Sequence, residues 1–136
     1  MKPVDAVPLA DLPVLDQSRL VNEFGDDPTV LNELRDLFHE HVPPLLDAIR
    51  SAHEASDCQA IARTAHSLKG AAATYGAMRL SEAGRAVEML ARDGCLVELD
   101  EEIRLLAAEL TEVLVCIARL DGDDEASRLD SSDQSR

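Results

Sequence analysis

Apolar residues recur along most of this chain at alternating steps of three and four, the spacing that lines one face of an α-helix. The longest series is Ile103, Leu106, Leu110, Val113, Ile117 and Leu120. It predicts a helix from about Leu99 to Leu120, with Asp100, Glu101 and Glu102 in its first turn, where the helix dipole favours anions. Ile61, Ala65, Leu68, Ala72 and Tyr75 form a second series. Its helix starts at a Ser56-x-x-Gln59 capping box and ends near Gly76. Leu80, Ala83, Val87 and Leu90 follow across a tight turn, and Gly94 closes that helix. Upstream, Leu31, Leu34, Phe38, Val42, Leu45 and Ile49 share one face of a helix opened by Asp27 as N-cap and Pro28 at the first helical position. Pro43-Pro44 removes the bonds to the carbonyls of His39 and Glu40, which predicts a kink or break there. A short helix from about Asp16 to Phe24, stopped by Gly25, comes first.

Four long helices joined by short connections pack as antiparallel neighbours. The predicted fold is all-α: an antiparallel up-down-up-down four-helix bundle with a short additional N-terminal helix. Residues 1–13, with Pro3, Pro8 and Pro13, read as a flexible N-terminal arm. Residues 14–120 form the bundle. Residues 121–136 carry six acids against two bases and read as a disordered acidic tail.

Composition narrows the function. Aromatic residues make up 2% of the chain and apolar residues 46%, which suits a Leu/Ala seam rather than a β-sandwich. A net charge of −14 argues against nucleic acid and against an anionic membrane surface as partners. Cys58, Cys95 and Cys116 are far apart and in no C-x-x-C spacing, so they read as small apolar fillers in a reducing compartment. Without a membrane-length apolar run or a signal-peptide centre, the expected location is cytoplasmic. The seams close within one bundle, so the expected state is a monomer.

The candidate chemistry lies in Ala65-His66-Ser67-Leu68-Lys69-Gly70. His66 sits one residue, about 100° of rotation, from the apolar seam of its helix, so it belongs at the bundle surface. Lys69 and Gly70, three and four residues on, share its face. An imidazole, an ammonium and a position without a side chain suit a histidine that carries a bulky dianion. Gly70 has a second reading as well, close helix approach opposite Gly84. A turn centred on residue 77 sets His66 level with Glu88, Lys69 with Arg85, and Gly70 with Gly84 in the antiparallel neighbour. Glu88 then orients the imidazole or supports its charge, with Arg85 or Lys69 screening the carboxylate from the product. Ala62, Arg63, Ala73 and Arg85 complete a small, locally cationic docking face. His39, His41 and His53 read as solvated surface histidines: His39 and His41, two apart, point about 200° apart on a helix.

Ala65-His66-x-Leu68-Lys69-Gly70, followed by Gly76-Ala77, Leu80 and Glu88, resembles the histidine-containing phosphotransfer (HPt) domain of multi-step two-component signalling. The resemblance spans roughly residues 14–120, where Val14 to Gly25, Asp26-Asp27-Pro28 and Leu37-Phe38 also fit. It implies a phosphorelay intermediate in which His66 accepts a phosphoryl group from a receiver-domain aspartyl-phosphate and passes it to another response-regulator receiver. It also implies a polar residue near that histidine at the Glu88 position. The partners implied are receiver domains and a hybrid sensor histidine kinase. The chain has neither a glycine-rich phosphate loop nor an acidic cluster suited to a metal, so it reads as a carrier without kinase activity. It binds no cofactor on this reading, and the receiver brings Mg²⁺ and most of the catalysis. Two other readings compete: an HPt module of a hybrid or chemotaxis-type sensor kinase, and an adaptor bundle that is never phosphorylated.

Overall fold

Five helices follow one another in the computed structural model, which describes the backbone of residues 12–134 and the side chains of residues 12–119. They are α1 (Gln17–Phe24), α2 (Pro28–Glu54), α3 (Cys58–Tyr75), α4 (Met78–Arg92) and α5 (Leu96–Gln134). Helices α2 to α5 close a ring in which each packs on its sequence neighbour and α2 meets α5, while α1 lies on α2 and α3. No helix among the described residues is long and apolar enough to cross a membrane.

The core is the set of seams. Ile61, Ala65, Leu68, Ala72 and Tyr75 of α3 are all buried, as are Leu80, Ala83 and Val87 of α4 and Ile103, Leu106, Leu110, Val113 and Ile117 of α5. Each large aliphatic among them contributes roughly 1.5–3 kcal/mol by leaving water. Phe38 of α2 meets Tyr75 of α3 with ring centroids 4.8 Å apart, so two of the chain's three aromatic side chains meet at one helix crossing. Arg79 donates from Nη2 to the buried carboxylate of Glu109 at 2.9 Å, pinning α4 to α5.

Several local expectations are corrected. Helix α2 runs through Pro43 and Pro44 as one helix, so the break, one of the two alternatives expected there, does not occur. The carbonyl-bearing residues His39 and Glu40, which lose their helical donors, lie on the exposed face where water can replace them. Past the prolines Leu46 and Ile49 are buried, and Leu45 is half-buried. The cap of α3 is Asp57, not Ser56: its side chain accepts from Ala60 N at 3.1 Å, while Ser56 takes φ +55° in the turn that ends α2. Helix α5 starts at Leu96, which leaves Glu98 as the acid of its first turn, and it continues through 121–134 instead of ending near Leu120. That stretch has no proline. Its single Gly122 lowers helix preference by about 1 kcal/mol without terminating the helix. The expected flexible arm, apart from Leu12 and Pro13, lies outside the described residues.

The turn between α3 and α4 is clamped from upstream. Gly76 has φ +86°, and its carbonyl accepts from Asp16 N at 2.7 Å. A Cβ at Gly76 would collide with the Asp16 carbonyl. The left-handed conformation alone penalises an L side chain by roughly 1–2 kcal/mol. Gly76→Ala is therefore expected to lower stability by about 2 kcal/mol or more, visible as a lower urea midpoint at unchanged slope.

Candidate functional site

The apolar seam of α3 turns Ile61, Ala65 and Leu68 inward and leaves His66 outside, its side chain 63% exposed. Helix α4 places Glu88 directly opposite, 6% exposed. His66 Nδ1 lies 3.0 Å from Glu88 Oε2. Lys69 Nζ donates to Oε1 of the same carboxylate at 2.9 Å, and Arg92 donates to Oε2 from Nη2 at 2.8 Å and from Nε at 3.2 Å. One buried carboxylate thus joins an imidazole, an ammonium and a guanidinium. The spacing explains why: His66 and Lys69 are i, i+3 on α3, and Glu88 and Arg92 are i, i+4 on α4.

Register between the two helices follows from the short Gly76-Ala77 turn and from Gly84. A Cβ at Gly84 would lie 3.4 Å from Leu68 Cδ2 and from Lys69 Cα and Cβ, so α4 rests against the backbone of α3 there. Ser81 Oγ donates to the Lys69 carbonyl at 3.0 Å and fixes the same alignment. The two glycines therefore differ. Gly84 serves close approach and faces Lys69 rather than Gly70, whereas a Cβ at Gly70 would meet nothing within 4 Å.

Burial alone would raise the Glu88 carboxyl, but hydrogen bonds from Arg92 and Lys69 and the charges of Lys69 and His66 outweigh it and bring its pKa down to about 2. An ionised carboxylate only accepts hydrogen bonds. Nδ1 of His66 therefore faces Glu88 as a donor; in the neutral ring this leaves the lone pair on Nε2, which has no hydrogen-bond partner among the described residues. Two cations surround one carboxylate, so with a neutral imidazole the cluster is net positive in a chain of net charge −14.

The predicted residues are only partly brought together. Lys69 lies on the same side as the imidazole but is held by Glu88. Arg85 is exposed and bonds Glu82 and the sulfur of Met89. The cation that shares Glu88 with Lys69 is Arg92, which is absent from the predicted site although Glu88 to Arg92 is an ordinary i, i+4 pair. Of the docking residues, Arg63 is exposed and Ala73 half-buried. Ala62 is 5% exposed, so it floors the surface instead of presenting to a partner: it follows Ile61 into the α3–α4 interface. Arg19 of α1 donates from Nε to the Ala73 carbonyl at 2.9 Å and adds a cation at that end. His39 and His41 are exposed, and no three His, Cys, Asp or Glu among the described residues are grouped to hold a metal ion.

The open space at Gly70 supports a direct test. Gly70→Ala should stabilise α3 by about 0.8–1 kcal/mol, since alanine is the better helix former. The same methyl group, one turn from the imidazole, should slow phosphoryl transfer severalfold. A higher Tm with unchanged transfer would show that the space is not used.

The bundle thus presents a solvent-facing imidazole beside fixed cations. The Hpt domain family model matches residues 33–115, and the chain belongs to the histidine-containing phosphotransfer family. Members of this family are phosphotransfer intermediates of two-component phosphorelays, carriers rather than kinases. Among solved structures, the chain resembles the crystal structure of histidine-containing phosphotransfer protein B (HptB) from Pseudomonas aeruginosa PAO1, with 30% identity and a TM-score of 0.69. That match covers 79% of this chain and 93% of HptB. No curated protein sequence matches.

Proposed function

We propose that His66 is the phosphoacceptor, that it takes the phosphoryl group from the aspartyl-phosphate of one receiver domain, and that it delivers it to the aspartate of another. The observation that carries this reading is the exposed imidazole whose Nδ1 is bound by the buried, ionised Glu88. Nε2 attacks phosphorus, the N–P bond forms, and the acyl-phosphate P–O bond breaks with the receiver carboxylate as leaving group. The ring becomes formally cationic as it does so. Glu88, hydrogen-bonded to Nδ1, stabilises that charge, while Lys69 and Arg92 offset the repulsion between the carboxylate and the incoming dianion. In the reverse direction the cationic ring is the better leaving group, so the same arrangement serves acceptance and delivery.

In-line placement and charge neutralisation are the main requirements of phosphoryl transfer. On this reading the receiver supplies Mg²⁺, and the present chain supplies the nucleophile and its orientation. The encounter surface is favourable for an acidic receiver site: α3 contains no Asp or Glu, although the chain has 27. Beside it, an apolar hollow of about 210 Å³ between α1, α2 and α3 is rimmed by the exposed Leu37 and by Thr74. Such a contact is small and short-lived. The protein acts as a monomer in the cytoplasm on this reading.

The test is phosphoryl transfer from a panel of phosphorylated receiver domains, followed by chemical characterisation of the labelled chain. A phosphohistidine survives alkali and is lost in acid. An acid-stable label, or no label from any receiver, overturns the assignment.

A further inference from the structure

Helices α3 and α4 carry five cations, and four are committed to carboxylates: Lys69 and Arg92 to Glu88, Arg85 to Glu82, and Arg79 to Glu109. Arg63 differs. It is exposed and, among the described residues, has no hydrogen bond or ion pair. It precedes His66 by three residues and so shares its face, one turn nearer the start of α3. There it lines an open groove of about 600 Å³ between the first turns of α3 and the last turn of α4, with Gln59 and Cys58 on one wall, Arg92 and Asp93 on the other, and Ala62 below. Asp93 is the groove's one carboxylate, and no ion pair ties it to either guanidinium.

This guanidinium adds no hydrogen bond or ion pair to the described fold, and it stands where it can be met from outside. The phosphoryl position at His66 already has Lys69 and Arg92 beside it, so Arg63 is available to something else arriving with the phosphoryl group. Resting on the phosphocarrier reading of His66, we infer that the Arg63 groove is the anchor for a carboxylate on the rim of the receiver's acidic phosphorylation site. The anchor sets affinity and encounter rate, while the cluster around Glu88 sets chemistry. In a chain of net charge −14, an uncommitted cation beside the nucleophile also orients the approach of an acidic partner.

The experiment compares Arg63→Glu, Arg63→Ala and Arg63→Lys with the wild type in two reactions. One is transfer from a receiver domain charged with acetyl phosphate; the other is labelling by phosphoramidate, a donor too small to reach both His66 and the groove. The expected result is that Arg63→Glu slows the receiver reaction at least tenfold more than the phosphoramidate reaction, through KM. It should also flatten the dependence of the receiver reaction on salt between about 50 and 500 mM NaCl, because screening then has less to remove. Arg63→Ala should fall between, and Arg63→Lys should restore most of the rate. Equal slowing of both reactions would overturn the anchor and make Arg63 a phosphoryl ligand. An unchanged receiver reaction in Arg63→Glu at low salt overturns it outright. If phosphoramidate leaves no alkali-stable label on the wild type, it is the phosphocarrier reading that fails.

Discussion

His66→Gln is expected to abolish phosphoryl acceptance from every receiver while leaving the fold and its melting temperature nearly unchanged. The side chain is exposed, and the seam that stabilises α3 runs through Ala65 and Leu68 rather than through it. Glutamine keeps a polar group within reach of Glu88 but has no nucleophilic nitrogen, so the loss is complete and is not a matter of degree. Circular dichroism melting paired with transfer from a charged receiver measures both halves of the statement. An adaptor bundle would give the opposite pattern, with partner binding and output intact. Residual labelling of His66→Gln at more than a per cent or so of the wild-type rate would place the acceptor elsewhere.

The second large effect is expected at Glu88. Glu88→Ala removes the acceptor that keeps the proton on Nδ1, and it leaves Lys69 and Arg92 without their shared carboxylate. The proton can then sit on Nε2, the nitrogen whose lone pair must attack. Loss of the partner that orients a metal-ligating histidine costs about 10–100-fold, and the rate of acceptance is expected to fall by a similar factor. Nitrogen chemical shifts of the His66 ring report the change of tautomer directly. Glu88→Gln separates orientation from charge. Its amide oxygen can still accept from Nδ1, so acceptance should drop less than in Glu88→Ala. With no carboxylate facing the dianion, the phosphohistidine should last longer.

Glu88 also fixes a pH dependence of stability. Its folded-state pKa of about 2 is depressed below the ordinary 4.5, so the folded protein holds this proton more weakly than the unfolded chain. The stabilisation is present above about pH 4.5 and is lost as pH falls through that window towards 2. Urea midpoints of the wild type should therefore fall more steeply between those limits than those of Glu88→Gln. Parallel curves would mean that Glu88 is not held ionised by its neighbours.

Much of this was legible in the sequence because helical periodicity is a local signal. The seams of α3 and α5 could be read residue by residue, and the Gly76-Ala77 turn is short enough to set the α3–α4 register, which pairs His66 with Glu88. What escaped depends on alternatives that differ by little energy or on atoms beyond the helix face. Ser56 and Asp57 are both competent caps, and the choice fell to the turn closing α2, which puts Ser56 at positive φ. Pro43 and Pro44 are unfavourable in any helix, but packing of Phe38, Val42, Leu46 and Ile49 against the bundle carries α2 across them. Register alone does not reveal Arg92, because it is not level with His66 or Lys69 and its guanidinium reaches back a full turn to Glu88. Gly70 and Gly84 looked equivalent by register, and only the distance to the facing backbone distinguishes a contact from an opening.

The segment before α2 has a bearing on how small this protein can be made. The family match begins at residue 33, after α1 and the stretch leading into it. Yet Leu20 is buried in the core, Arg19 reaches the Ala73 carbonyl, the Pro13 carbonyl accepts from Arg79 N, and Asp16 N caps Gly76. All of these fasten the far end of the helix that bears the imidazole. A version trimmed to the matched boundaries would keep every reactive group and lose the buckle at the top of α3. The shortest fully competent carrier therefore starts upstream of Pro13.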